Sequence, residues 1–136
     1  MDTRLYHLQI NVRPGNLPFY RDLMGFLGWQ TLYNDDGMLG VGDPNGASLW
    51  FVGQMKDVAN DYDGPGLNHI GIRPKSQADV DAVVGYLKER NVAPLFETPR
   101  HRPEFAAGDD QTYYQVMFES PDRLLFEVVY TGPKAA

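Results

Sequence analysis

The chain carries the same pattern twice. The segments "LYHLQINV" (5–12) and "LNHIGIRP" (67–74) align histidine on histidine, so that His7 and His69 hold matching points of two strand-like stretches. A helical stripe follows each at nearly the same offset: Tyr20, Leu23, Met24 and Leu27 in the first half, Val80, Val83, Val84 and Leu87 in the second. Any fold that obeys this repeat has to build two similar halves. A lone histidine in a strand is ordinarily a core residue with a satisfied hydrogen bond. Two at matching points raise the question of a shared task.

Turn chemistry fixes the elements between these markers. Asn16 stands as an N-cap for the first helix, and Gly28 ends it in a left-handed conformation. The stretches "WQTLYN", "MLGVG" and "ASLWFVG" read as strands, separated by the tight turns "DDG" and "DPNG". In the second half Ser76 and Asp79 are spaced as a capping box, and the helix is predicted to run to about Asn91. Strands "APLFET", "YYQVMFE" and "RLLFEVVYT" follow, with "SPD" between the last two and a long loop, "PRHRPEFAAGDDQ" (99–111), before "YYQVMFE". Between the halves lies a polar stretch with little periodicity. The expected organisation is α+β: a first β-α-β-β-β module over 1–54, a linker over 55–65 and a second β-α-β-β-β module over 66–136.

Composition narrows the function classes. A chain of 136 residues with 43% hydrophobic content has enough apolar material for one domain or two small modules. The net charge of −6 offers no basic face for nucleic acid, and no Lys/Arg run suits an acidic membrane surface. Without cysteine there are neither disulfides nor thiolate ligands, which suits a reducing compartment. No segment approaches transmembrane length, and a cytoplasmic location is the expectation.

The segments "LYHLQINV", "LPFYRDLMGFLGWQ", "ASLWFVG", "LNHIGIRP" and "FESPDRLLFEVVY" together resemble the vicinal oxygen chelate superfamily, over nearly the whole chain from Arg4 to Thr131. Its members include glyoxalase I, methylmalonyl-CoA epimerase, fosfomycin-resistance enzymes, extradiol dioxygenases and bleomycin-resistance proteins. The resemblance implies modules that curl into open, half-barrel cups around a metal site, commonly in a homodimer whose sites are shared between modules of one chain or of two. It also implies a histidine ligand from the first and fifth strands and a carboxylate from the fourth and eighth. Carried over position by position, these are His7, Trp50, His69 and Glu127. An indole offers no lone pair to a metal, which leaves His7, His69 and Glu127. Two histidines and one carboxylate suit Fe(II), with Mn(II), Ni(II) and Zn(II) as alternatives. If Glu127 faces inward, Leu125 and Val129 do so too, and metal coordination offsets the cost of burying the carboxylate. Plain strand alternation with Glu127 in solvent is the competing reading.

Within the superfamily the residues discriminate among chemistries. Trp50 removes the fourth ligand and proton-transfer base that resemblance to glyoxalase I or the epimerase requires. The resemblance to extradiol dioxygenases fits the three ligands, but Phe118 stands at their tyrosine position and no histidine lies between Asp109 and Met117. Fosfomycin-resistance enzymes match "SLWFVG", whereas their phosphonate-binding loop and C-terminal arginine arm are missing, and Gln9 stands where they commonly carry threonine. The favoured expectation is a Fe(II)-dependent oxygenase or oxidase acting on an aromatic or phenolic small molecule, with O2 as the second reactant. Gln9, Trp50, Met117, Arg100 and Arg102 are candidate substrate contacts, and His101 is a candidate acid–base group. A Mn(II)-, Zn(II)- or Ni(II)-dependent lyase or thiol transferase is the first alternative. The second is a non-catalytic drug-binding protein that stacks its ligand on Trp50, Tyr113, Tyr114, Phe118 or Phe126, all of which have core packing as their ordinary role. Tyr113 and Tyr114, being adjacent in a strand, are expected to face opposite ways.

Overall fold

Short runs of β-branched and aromatic residues, punctuated by Asp-Gly and Asp-Pro turns, give each half of the chain a four-stranded sheet. The computed structural model describes residues 1–53 and 56–135, and the chain divides into two units, Met1–Ala59 and Asn60–Ala136. Gln54 and Met55, where the first module was expected to end and the linker to begin, lie outside the described residues.

The first unit runs β1 (His7–Asn11), α1 (Leu17–Phe26), β2 (Gln30–Asn34), β3 (Met38–Gly42) and β4 (Ser48–Val52). Its sheet has the order β1-β4-β3-β2, with β1 parallel to β4 and the other pairs antiparallel. A parallel pair needs a long crossover, and α1 with the β2–β3 hairpin supplies it. The turns work through their aspartates. Asp35 Oδ1 accepts the amides of Gly37 and Met38 at 2.8 Å each, and Asp43 Oδ1 accepts those of Asn45 and Ala47. Asn16 occupies the N-cap of α1 but its side chain makes no capping hydrogen bond. Pro18 in the first turn removes one amide that would otherwise need a partner. Gly28 has φ +83°, as the helix stop requires. Leu17, Tyr20, Leu23 and Met24 bury one face of α1 with Leu39, Val41, Leu49 and Phe51, and Tyr20 stacks on Phe51 at 4.5 Å. Each such side chain contributes on the order of 1.5–3 kcal/mol.

The second unit repeats the plan with β5 (His69–Ile72), α2 (Gln77–Glu89), β6 (Leu95–His101), β7 (Gln111–Glu119) and β8 (Leu125–Pro133). The order is β5-β8-β7-β6, again with one parallel pair, β5 and β8. The capping box forms: Ser76 Oγ accepts the Asp79 amide at 3.1 Å and donates to its carboxylate at 2.8 Å. The helix stops at Glu89, and Asn91 turns the chain with φ 57°. Val80, Val83, Tyr86 and Leu87 are its buried residues, Tyr86 taking the place that the sequence pattern assigned to Val84. On the sheet side the core comprises Ile70, Ile72, Val116, Phe118, Phe126 and Val128, with Phe118 and Phe126 stacked at 5.5 Å.

Two stretches differ from the sequence reading. The loop expected over 99–111 begins later, because β6 extends through His101, with Arg100 opposite Gln115 and His101 opposite Tyr114. A bulge makes this possible: Phe96 and Glu97 are both left-handed, at φ 57° and 60°, and the register shifts between Leu95 and Arg100. Within the expected linker, Tyr62 is 8% exposed and packs with Met117 and Leu125, so that segment contributes to the second unit's core.

The repeat extends to register. His7 lies opposite Ser48 and Gln9 opposite Trp50; His69 lies opposite Leu125 and Gly71 opposite Glu127. Trp50 and Glu127 therefore hold the same place in the two sheets.

Candidate metal centre

Strand parity settles where Glu127 points. Phe126 and Val128 face α2, so Leu125, Glu127 and Val129 face the other side of the sheet, as do Met117 and Gln115 on β7. Parity also places His69 and Gly71 there, since β5 pairs in parallel with β8. Gly71 lies directly across from the carboxylate, and a Cβ added there would sit in ordinary contact, 3.8 Å from Glu127 Oε1. The result is an imidazole and a carboxylate as diagonal neighbours on one face, with His69 Nε2 3.9 Å from Glu127 Oε1.

Glu127 is only 6% exposed, so its carboxylate needs partners. Tyr113 donates its hydroxyl to Oε1 at 3.0 Å, and Gln115 donates its side-chain amide to Oε2. The Gln115 amide is itself oriented, because Arg102 Nη1 donates to its Oε1 at 3.2 Å. Arg102 in turn donates Nε to Glu104 at 2.5 Å and sits 5.0 Å from the Phe105 ring centre, while Phe105 meets Tyr113 edge-on at 5.3 Å. Burial, followed by the hydrogen bond to Glu127 and its charge, pushes the Tyr113 hydroxyl up to about 12, against a smaller opposing effect of Arg102. Tyr113 is thus a donor to Glu127 throughout the neutral range.

The histidine is fixed in a complementary way. Its Nδ1 lies 2.7 Å from Asn68 Oδ1, a carbonyl-type acceptor, so Nδ1 is the donor there and Nε2 is the ring nitrogen on the Glu127 side. At 3.9 Å the pair is too far apart for a hydrogen bond. With metal bonds of about 2.0–2.2 Å, neighbouring ligands on one ion stand about 3–3.5 Å apart, so this pair would have to close by several tenths of an ångström to share one. By type, an imidazole nitrogen and a carboxylate oxygen suit a divalent cation, and Asn68, Tyr113 and Gln115 hold these two side chains from behind.

The remaining expected residues are spread over both units. His7 lies on β1 of the first unit, exposed, with the Tyr6 ring edge-on at 5.0 Å. Among the described residues no three His, Asp or Glu side chains gather as a metal-binding group. Trp50 acts as a donor, giving Nε1–H to Ser48 Oγ at 3.0 Å, and shares its sheet face with His7 and Gln9. Met117 lies directly opposite Glu127, and Arg100 directly opposite Gln115. His101 is a correction. Its partner across the strands is Tyr114, on the α2 face, and its Nδ1 is bonded to Thr112 Oγ1 at 2.6 Å, so it sits on the other side of the sheet from Glu127. Sequence reasoning passed over Gln115 and Asn68. Parity with Glu127 and adjacency to His69 were the signals available.

No protein-family profile and no curated protein matches the sequence. Solved structures do match over nearly the whole chain. One from Bacillus halodurans, provisionally assigned as a glyoxalase, is 29% identical with a TM-score of 0.74, covering 93% of this chain and 94% of that one. The fosfomycin resistance protein FosX from Listeria monocytogenes, solved with Mn(II) and sulfate, is 18% identical at a TM-score of 0.67, covering 96% and 91%. The oxidase ChaP-H2 is 19% identical at 0.63, covering 99% and 98%. The resemblance read from the sequence holds at the level of fold: this chain has the tandem β-α-β-β-β architecture of the vicinal oxygen chelate superfamily. No helix among the described residues is long and apolar enough to cross a membrane.

Proposed function

We propose that the chain is a divalent-metal-dependent enzyme that acts oxidatively on an aromatic or phenolic small molecule, with His7, His69 and Glu127 as the metal ligands. The observation that supports this reading is the pairing of a buried carboxylate with an imidazole whose Nε2 lies 3.9 Å from it on the same sheet face. The donors are hard and borderline, two nitrogens and one oxygen, and they favour Fe(II) while admitting Mn(II), Ni(II) or Zn(II). When bound, such an ion supplies Lewis acidity and a place where a chelating substrate and O2 meet.

The chain's own residues do the rest. Gln115 and Tyr113 each occupy one carboxylate oxygen of Glu127 and hold its plane, so that it enters the site in one orientation. Asn68 selects the His69 tautomer. Gln9, Trp50 and Met117 are the proposed substrate contacts, with Arg100 and Arg102 offering positive charge near Gln115. A homodimer is the proposed assembly. Trp50, at the place of a fourth ligand, argues against glyoxalase-type proton transfer, which needs a carboxylate there.

Oxygen consumption tests the oxidative half of the proposal. Protein loaded anaerobically with Fe(II) and then exposed to O2 should take up oxygen with at least one member of a panel of catechols and polycyclic phenols. The Zn(II)-loaded protein should not. No uptake across the panel from protein that holds its iron would overturn the oxidative reading in favour of lyase or transferase chemistry.

A further inference from the structure

The first unit carries a cavity of about 480 Å³ on the sheet face that includes His7 and Gln9. Its volume lies in the range that takes a small organic molecule. Trp50 lines it, and Gly40 determines how the indole lies there. A Cβ built on Gly40 would fall 2.4, 2.6 and 2.7 Å from Cζ3, Cε3 and Cη2 of that ring. Nearly equal distances to three consecutive ring atoms put Gly40 beneath the face of the six-membered ring. Had the ring met Gly40 edge-on, the outer two distances would be much longer. The indole therefore lies flat on the β3 backbone, with its other face turned to the cavity. Its edge is pinned as well, by Nε1–H donated to Ser48 Oγ at 3.0 Å. A glycine that gives way to a ring, and a hydroxyl that fixes its rotation, make a preorganised aromatic platform.

The rest of the lining narrows the ligand. Leu32, Met38 and Val52 are apolar, and Gln9 and Gln30 bring carboxamides. None of the described lining residues is a lysine or arginine, and the Asp43 carboxylate is engaged by the backbone amides of Asn45 and Ala47, so apart from the His7 imidazole the lining offers little to hold a charged ligand. We infer that this cavity binds a neutral, planar aromatic molecule of two or three fused rings, stacked on the Trp50 indole. As the identity of the substrate, this rests on the oxidative reading proposed for the chain. As a binding site it stands on the first unit alone, and it is tested without metal.

The experiment uses the full chain stripped of metal by chelation, in a Trp29→Phe background that leaves Trp50 as the one indole of the two in the sequence. Calorimetric titration with 2-naphthol is compared with its saturated counterpart, decahydro-2-naphthol. The expected result is one naphthol per chain, bound at least tenfold more tightly than the saturated alcohol, with quenching of Trp50 fluorescence. Trp50→Ala should weaken naphthol binding by about tenfold, the usual scale for losing one stacking surface. Gly40→Ala should do the same with the indole still present, because the new methyl takes the ring's place. Trp50→Phe, which keeps a stacking surface, should retain part of the affinity and guards against a folding defect in the other two. Because the titration is run on metal-free protein, a failed metal site leaves its outcome untouched, so a failed metal site and a failed cavity are told apart. Equal affinity for the two alcohols would overturn the proposal. So would naphthol affinity unchanged by both Trp50→Ala and Gly40→Ala, or naphthol excluded because a second copy of the chain occupies the face.

Discussion

Glu127 is a buried carboxylate whose immediate donors are neutral, and its surroundings show how one residue depends on several. Gln115 is 2% exposed and spans the gap between Arg102 and Glu127, accepting from one and donating to the other. Gln115→Ala leaves Glu127 Oε2 and Arg102 Nη1 without those partners, so it should destabilise the fold by about 1–3 kcal/mol. Denaturant unfolding measures this, and an unchanged midpoint would show the network to be slack. The same variant should weaken metal binding, because the carboxylate is free to turn. Legibility at this scale followed charge. Glu127 was visible as an acid inside the apolar run from Leu124 to Val129, but alternation left its face open until the register of β8 against β7 was known. Gln115 was not, since an uncharged amide in a strand looks like any solvent-facing polar residue until its partners are known.

At the scale of elements, β7 separates two environments with adjacent tyrosines. Tyr113 faces Glu127, and Tyr114 crosses to α2, donating its hydroxyl to Asp81 at 2.7 Å. Burial, and then the Asp81 carboxylate, hold the Tyr114 proton up to about 12, against an ordinary value of 10.0. The unfolded chain releases that proton near 10, so above this pH the folded state holds more protons and stability falls as pH rises. Tyr113 adds to the same trend. Urea midpoints should therefore drop between pH 10 and pH 12, and Tyr114→Phe should remove part of that drop while costing about 1 kcal/mol at neutral pH. An identical pH profile in the variant would contradict the tie between β7 and α2. The opposed tyrosines were legible from alternation alone. The continuation of β6 through His101 was not, because it depends on the bulge at Phe96 and Glu97, for which the sequence carries no glycine signal. That missed bulge also concealed which face His101 occupies.

At the scale of the whole molecule, the duplicated plan survives with its two copies specialised differently. Both sheets keep the same strand order and register, so matching positions can be compared directly. Where the second unit has Gly71 and Glu127, a gap and a carboxylate, the first has Gln9 and Trp50, an amide and a flat indole. On the function proposed above, the second copy supplies His69 and Glu127 to a cation, and the first supplies His7 together with a ring on which an aromatic substrate can lie. The repeat was plain in the sequence because it rests on histidines, apolar stripes and turn residues. Tyr62 was not, because a buried aromatic within a polar stretch has no periodic neighbours to announce it. Whether His69 and Glu127 bind metal is decided by anaerobic Fe(II) titration followed by metal analysis. One ion per chain is expected in the wild type, falling to near zero in His69→Ala and Glu127→Ala while both variants remain folded. Full occupancy in either variant, or no metal in the wild type, would contradict the proposed ligation.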